Sequence, residues 1–293
     1  MKPAPFQYFA PETVDEALGL LAQYGLDGKV IAGGQTLGPL LNMRMATPDV
    51  LIDINRIQAL NYQRYESDGR LILGALTRQS TMEDDPRLPG AQPLIAAAEP
   101  EVAHRAIRNR GTIAGSLAHA DPAAEWPGLV TALDAELVLR RHGGASRTVA
   151  AKDFFQGALT TAIEPEELLT EIRIPRWNPS SGWGFQEFNR RHGDFALAGA
   201  MVRLDVAVDG GCRDAAIALI GVEETPTRAH AAEEFLRSAK VDDAALKEAA
   251  SRAAAQVTPL ADIHASADYR RSLTRELVYR ALTDASARAT AIQ

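Results

Sequence analysis

The sequence predicts an α+β fold: two small strand-rich units, then a C-terminal antiparallel sheet backed by a helical bundle. Three observations lead there. Over the first half of the 293 residues, short β-branched runs alternate with short apolar helices, and one such run ends in a glycine pair. Three longer strand patterns follow: Phe185 to Arg190, Ala198 to Val208 and Ala215 to Val222. From Ala229 onward the pattern is helical, and strands followed by a run of helices imply segregated layers.

Taken in order, Thr13 and Glu16 have capping-box spacing, Val14, Ala17, Leu18 and Leu21 form an apolar stripe, and Gly25 is placed to stop the helix. Lys29 to Ala32 is a short strand, Leu37 to Met43 a short helix with Pro39 in its first turn, and Val50 to Ile54 a buried strand. Residues 1–57 thus read β-α-β-α-β. A second unit, 58–176, opens with a strand at Arg70 to Ala75. Ser80 and Glu83 suggest a second capping box, and Leu94 to Ala98 a helix cut off by Pro100. Ala123 to Leu133 reads as helical despite Pro127. Strands Glu136 to Arg140 and Ser146 to Ala150 flank a Gly143-Gly144 hairpin turn, and Leu168 to Ile174 closes the unit before Pro175. Trp177 to Gly184 reads as a linker into a C-terminal unit, 177–293, with a hairpin turn at Asp209-Gly210-Gly211 and helices at Ala229 to Ser238, Asp243 to Val257 and Ala267 to Ala287.

Composition narrows the function. A net charge of −7 argues against a nucleic-acid partner, which needs clustered Lys and Arg. One cysteine, Cys212, cannot form an intrachain disulfide, hold an iron–sulfur cluster or complete a zinc site, so a cytoplasmic, metal-free chain is expected. No stretch reads as a signal peptide or membrane span. The six histidines are scattered without metal-ligand spacing, and no Ser/His/Asp arrangement is present.

The chemistry concentrates in two glycine-bearing stretches. Lys29-Val30-Ile31-Ala32-Gly33-Gly34-Gln35-Thr36-Leu37 ends a strand in a glycine pair, where the backbone can turn sharply and be approached closely. Asn109-Arg110-Gly111-Thr112-Ile113-Ala114-Gly115-Ser116 has the same character. Turn amides of this kind suit an anion, and two such nests suit the two halves of one pyrophosphate. Neither stretch carries G-x-G-x-x-G or a P-loop lysine, which argues against a nicotinamide-type Rossmann site and against ATP hydrolysis.

Ala32-Gly33-Gly34-Gln35-Thr36-Leu37 with Leu41-Asn42-Met43-Arg44, Pro48-Asp49 and Leu51-Ile52-Asp53-Ile54 resembles the N-terminal signature of the FAD-binding medium subunit of molybdenum hydroxylases. These include aerobic carbon monoxide dehydrogenase and bacterial relatives of xanthine dehydrogenase. The run Ile107 to Ala124 resembles that family's second signature; Leu168 to Pro175 and Arg190 to Ala196 are similar to later landmarks. The resemblance implies a two-subdomain FAD-binding fold of the vanillyl-alcohol-oxidase (PCMH) type. It implies non-covalent FAD held at its pyrophosphate and ribityl atoms by Val30, Ile31, Ala32, Gly33, Gly34, Gln35, Thr36 and Leu37, and by Thr112, Ile113, Ala114, Gly115 and Ser116. Val102 would lie against the cofactor, Glu125 would bind its polar end, and Leu169 would pack on the flavin or adenine. Three positions depart from the family: Ala114 stands where Gly is usual, Glu125 where Asp is usual, and Asn189 where some relatives have Lys. Ala114 is tolerable only at negative φ.

By the same resemblance, the chain would carry electrons from [2Fe–2S] clusters on a small subunit to an external acceptor. A large subunit with a molybdenum–pterin centre would hydroxylate an N-heteroaromatic, a purine or carbon monoxide. The assembly would be a dimer of heterotrimers. The alternative is a self-sufficient FAD-dependent oxidase or reductase of the same fold, which needs its own acid or base at the flavin. Around the site, His119 is open between a place near the flavin and a cap on the next helix, with the cap preferred. Arg108 and Arg110 are open between offsetting phosphate charge, facing a partner and solvation. Phe195 is open between a flavin neighbour and a core residue.

Overall fold

The computed structural model describes residues 1–291. The first unit is the expected β-α-β-α-β: β1 (Gln7–Phe9), α1 (Val14–Tyr24), β2 (Gly28–Ile31), α2 (Leu37–Asn42) and β3 (Val50–Asp53). Its strands are parallel in the order β1-β3-β2, because α1 and α2 supply the crossovers that parallel neighbours require. The capping box at α1 forms: Glu16 N–H donates to Thr13 Oγ1 at 3.2 Å, and the Glu16 carboxylate accepts from Thr13 N–H at 3.3 Å. Ala17, Leu18 and Leu21 are the buried face.

The second unit continues with β4 (Gln63–Tyr65), β5 (Leu71–Gly74) and a series of short helices: α3 (Gln79–Glu83), α4 (Leu88–Ala91), α5 (Pro93–Ala98), α6 (Arg105–Arg108), α7 (Ile113–His119) and α8 (Glu125–Ala132). Then come β6 (Glu136–Arg141), β7 (Ser146–Ala150), α9 (Ala151–Phe154), a small hairpin of β8 (Phe155–Gly157) and β9 (Thr160–Thr161), and β10 (Glu167–Ile174). The order is β4-β5-β10-β6-β7, all antiparallel. Strand β10 is central, and its pairing with β6 slips between Leu169 and Glu171. β4 escapes the sequence reading because Gln63-Arg64-Tyr65 has no apolar alternation. The second capping box does not form: Arg78 is the N-cap of α3, and Glu83 is used in ion pairs with Arg105 and Arg108.

The C-terminal unit holds β11 (Ser181–Phe188), β12 (Ala198–Val206), β13 (Cys212–Ile220) and β14 (Thr227–Arg228) as an antiparallel sheet in that order, then α10 (His230–Arg237), α11 (Asp243–Gln256) and α12 (Ala267–Ala291). Strands β12 and β13 read as continuous apolar runs because both faces are buried. Ala200, Val202, Ile217 and Leu219 pack among α10, α11 and α12, while the alternating Met201, Ala218 and Ile220 join the core shared by the first and second units. On that near face α8 lies against the sheet at Gly128, where a Cβ would come 2.6 Å from Met201 Sδ.

Strand β11 begins four residues before the sequence reading places it. Gly182 and Gly184, which read as linker, face α12, where an added Cβ would overlap the carbonyls of Ala285 and Ala281. Their role is close approach of helix to sheet. Gly184→Val should therefore cost about 3 kcal/mol or more through overpacking, roughly 6–12 °C in melting temperature. Gly143→Ala, at a φ of +84° but in open space, should cost only ~1 kcal/mol. Calorimetry of both variants checks this; equal shifts would refute the packing argument.

Candidate dinucleotide site

The two glycine stretches, far apart in sequence, touch. A Cβ on Gly33 would lie 2.5 Å from the Arg110 carbonyl oxygen and 2.8 Å from Gly111 Cα. Gly34 has a φ of +70°, a conformation that strains any branched residue. Among the described residues, no protein acceptor takes a hydrogen bond from the N–H groups of Gly34, Gln35 or Thr36. The Gln35 side chain folds back to donate to the Gly33 carbonyl at 3.1 Å.

The second turn is pinned from the other side. Gln79 N–H donates to the Gly111 carbonyl and Ile113 N–H donates to the Thr77 carbonyl, both at 3.1 Å. Thr112 is extended and caps α7, its Oγ1 accepting from Gly115 N–H at 3.0 Å. Ala114 lies inside α7 and is not among the positive-φ residues, so its methyl group brings no backbone strain.

Both turns open onto one cavity of about 760 Å³, within the usual range for ligand sites, roughly 300–1,000 Å³. Every residue from Val30 to Leu37 lines it, as do Val102, Thr112, Ala114, Gly115, Ser116, Glu125 and Leu169. Ile113 does not. Its side chain is fully buried in the core, and its N–H is already committed to Thr77. Leu169 reaches the wall from β10 where the register slips, the usual effect of a bulge beside a site.

Further residues had no signal in the sequence. Asn55 Nδ2 donates to the Ala32 carbonyl at 2.8 Å. The Arg78 guanidinium donates through Nη2 to Asn55 Oδ1 at 2.6 Å and through Nη1 to the Arg110 carbonyl. Burial, with the Arg110 charge nearby, lowers the Arg78 pKa. Arg108 is not solvated: it is buried, forms a two-point ion pair with Glu83 (2.9 and 2.7 Å), and donates to the carbonyls of Val102 and Ala103 at 2.9 and 3.0 Å. It thereby fixes the strained turn at Ala103, whose φ is +48°. Arg110 is exposed and meets Gly33 through its carbonyl alone.

His119 does not cap α8, whose N-cap is Ala124; it ends α7 and lines the cavity, where burial lowers its pKa. Phe195 is 58% exposed and lines the cavity with Gly193 and Asp194, so it is not a core residue. Among the acids that line the cavity the most buried is Glu125, only 4% exposed, its pKa pushed up to about 7 by burial and by the charges of Glu101 and Asp121. Glu187 is pushed up to about 9 by burial and by Glu125. Its Oε2 is buried without a hydrogen-bond partner, while Oε1 accepts from Asn189 at 3.1 Å. Glu99 is fully buried with neither oxygen bonded, and burial raises its pKa well above the ordinary value. Among the described residues no group of His, Cys, Asp and Glu could hold a metal ion, and no helix is long and apolar enough to cross a membrane.

Two backbone turns in contact, uncommitted amides on one of them and one long cavity define a dinucleotide-binding protein with a two-part cradle. Residues 4–177 match the family described as the FAD binding domain in molybdopterin dehydrogenase, and residues 183–285 match the CO dehydrogenase flavoprotein C-terminal domain. The 6-hydroxypseudooxynicotine dehydrogenase complex subunit alpha of Paenarthrobacter nicotinovorans is 40% identical over 289 residues, 99% of this chain and 97% of that protein. Caffeine dehydrogenase subunit beta of a Pseudomonas species is 42% identical over 236 residues, 80% of this chain and 79% of that protein. The solved carbon monoxide dehydrogenase of Hydrogenophaga pseudoflava superposes with a TM-score of 0.94 at 39% identity, covering 98% of this chain and 99% of that one. The chain belongs to the FAD-binding flavoprotein family of molybdopterin dehydrogenases and is a medium-type subunit of a molybdenum-dependent oxidoreductase.

The residues present fit FAD: Gly33 lets the two turns come into contact, Gly34 holds a positive φ, and the N–H groups of Gly34, Gln35 and Thr36 beside the cavity have no protein acceptor among the described residues. Gly34→Val should empty the site with little change in fold. Backbone strain of about 1–3 kcal/mol adds to the lost amide contacts with a doubly charged group. The flavin-to-protein absorbance ratio reads the outcome, and wild-type occupancy would reduce the turn to a structural role.

A pH effect follows from the raised acids. Glu187 titrates at about 9 in the fold against an ordinary 4.5, so the fold holds the proton more tightly than the unfolded chain. Its stabilising contribution is present below pH 4.5 and is lost as pH rises through 9. Glu187→Gln should therefore raise the melting temperature relative to wild type at about pH 8.5 and leave it nearly unchanged at about pH 5. A gain of equal size at both would contradict a proton-linked origin.

Proposed function

We propose that this chain is the electron-delivering FAD subunit of a heteromeric molybdenum hydroxylase. On this reading it receives electrons from [2Fe–2S] clusters on a small subunit and passes them to an external acceptor. A large molybdenum–pterin subunit hydroxylates an N-heteroaromatic substrate, the whole being a dimer of heterotrimers in the cytoplasm. What supports it most is one cavity lined by both glycine turns, in a chain whose described residues include no cluster of His, Cys, Asp and Glu that could hold a metal ion. The flavin supplies both one- and two-electron exchange, which suits the junction between clusters and a final acceptor.

The chain's own residues bind and orient. Val30 to Leu37 hold one side of the pyrophosphate, and Thr112, Ala114, Gly115 and Ser116 hold the other side and the ribityl chain. Ile113 contributes only as the anchor of that turn. Val102 and Leu169 flank the rings, Glu125 takes the polar end with its carboxyl largely protonated below its raised pKa, and Phe195 guards the rim. Binding is taken as non-covalent: Cys212 is buried in the C-terminal core away from the cavity wall, and His119, which does reach the wall, is the attachment point that acid precipitation tests. The names of the two relatives, a caffeine dehydrogenase subunit and a subunit of a 6-hydroxypseudooxynicotine dehydrogenase complex, support an N-heterocyclic substrate.

The face nearest the flavin would then be a permanent interface, on the order of 2,000 Å² or more in total. The exposed Leu159 and Phe195 at the cavity favour that. The test is to purify the chain alone and with its genomic neighbours, and to assay N-heteroaromatic substrates with an artificial dye acceptor. The complex should turn over, and the lone chain should be yellow, aggregation-prone and nearly inert. Acid precipitation should release all its flavin into the supernatant. Equal turnover by the lone chain would instead favour a self-sufficient flavoprotein.

A further inference from the structure

The two glycine turns belong to different units, and something must hold them at a fixed separation for both to address one ligand. The segment around Arg78 is docked on the second turn by its backbone: Arg78 and Thr112 face each other in an antiparallel bridge, flanked by the Gln79–Gly111 and Ile113–Thr77 hydrogen bonds. From that position the Arg78 side chain reaches across to the first unit. Its Nη2 donates to Asn55 Oδ1 at 2.6 Å, and Asn55 Nδ2 donates to the carbonyl of Ala32, immediately before Gly33, at 2.8 Å. Its Nη1 donates to the Arg110 carbonyl, the atom that a side chain at position 33 would strike. Asn55 is itself held at the end of β3, where Asp53 Oδ1 accepts from its backbone N–H at 2.9 Å and from Nδ2 at 2.6 Å.

We propose that Arg78 and Asn55 form a positioning clamp that sets the spacing of the two glycine turns and, through it, the affinity of the cavity for FAD. The inference rests on the reading of those turns as the pyrophosphate cradle. Gln79 lines the cavity whereas Arg78 does not, so Arg78 acts through the turns and not on the ligand. The placement is a demanding one for structure alone. The guanidinium is half-buried and stands near a second cation, Arg110; burial disfavours its charge, and the Asp53 carboxylate offsets that only in part. A methionine would fill similar space without that penalty. What the cation adds is donors in a planar fork that can satisfy Arg110 and Asn55 together.

The test uses the full chain, stripped of flavin and titrated with FAD. Arg78→Met and Asn55→Ala should each weaken FAD binding by about ten- to a hundredfold, the range expected for losing hydrogen bonds to a charged group. Arg78→Lys, which keeps the charge and a donor, should fall between Arg78→Met and wild type. The double variant should bind no worse than the weaker single one, because the two residues act as one unit. Because these hydrogen bonds are made without FAD as well, the flavin-free melting temperatures should fall modestly, and the upward shift on adding FAD should shrink in addition. Asn55→Ala, the milder change, carries the test if Arg78→Met does not fold. Wild-type affinity in Asn55→Ala, strictly multiplicative losses, or a lowered flavin-free melting temperature with FAD affinity intact would each overturn the clamp. A wild-type chain that takes up no FAD would instead overturn the cradle reading on which the clamp rests.

Discussion

The contact between Gly33 and the Arg110–Gly111 backbone is the constraint around which the N-terminal half is arranged. Two turns can address one ligand jointly only if their main chains come within van der Waals distance, and a Cβ at position 33 would sit 2.5 Å from a carbonyl oxygen. The same holds a step behind, where a Cβ on Gly111 would meet Gln79 Oε1 at 2.5 Å. Everything near this contact serves to hold it. Parallel strands β2 and β3 deliver the first turn, the Arg78–Thr112 bridge anchors the second, and Thr112 starts α7 in the direction that brings Ala114, Gly115 and Ser116 to the cavity.

Charge is distributed around this cradle by burial more than by pairing. Arg108 and Glu83 are satisfied: the arginine makes two contacts to the carboxylate and two to backbone carbonyls, so breaking this partly buried pair would be expensive. Its effect on the site is indirect, through the carbonyl of the cavity residue Val102. The acids beyond it are treated differently. Glu99 has no hydrogen-bond partner for either oxygen, and Glu125 and Glu187 hold their protons far above the usual carboxylate range. A neutral carboxyl is a hydrogen-bond donor as well as an acceptor, which widens what the polar end of the cavity can recognise.

The C-terminal sheet is tied to the rest because both its faces are covered. Alternate residues of β12 and β13 belong to two different cores, one shared with α8 and one with the terminal helices. Close packing on each face depends on glycine again: Gly128 lets α8 approach Met201, and Gly182 and Gly184 let the backbone of α12 lie against β11. Helix α8 also begins with Glu125, so the element that seats the C-terminal sheet places the most buried of the cavity's acids as well.

By itself the sequence determined the local elements, because each was written in short-range chemistry. The capping box at Thr13 and Glu16, the apolar stripe of α1, the glycine hairpin at 143–144 and the helical run after Ala229 all act over a few residues. It also determined the two glycine turns, whose residue order carries the family resemblance that the comparisons bear out. What it did not determine were partnerships between distant segments. Glu83 has capping spacing from Ser80, yet two arginines more than twenty residues away compete for its carboxylate and win, since an ion pair with two guanidinium groups outweighs one backbone amide. Asn55, Arg78 and Gln79 carry no spacing rule that points to the site; only the meeting of the two turns gives them a task. Ile113 sits inside a glycine-bearing signature, and only the fold shows its side chain in the core. Gly182 and Gly184 read as linker because their local chemistry is that of a turn. Tertiary structure decided otherwise, because the absent Cβ is what a packed helix backbone required there.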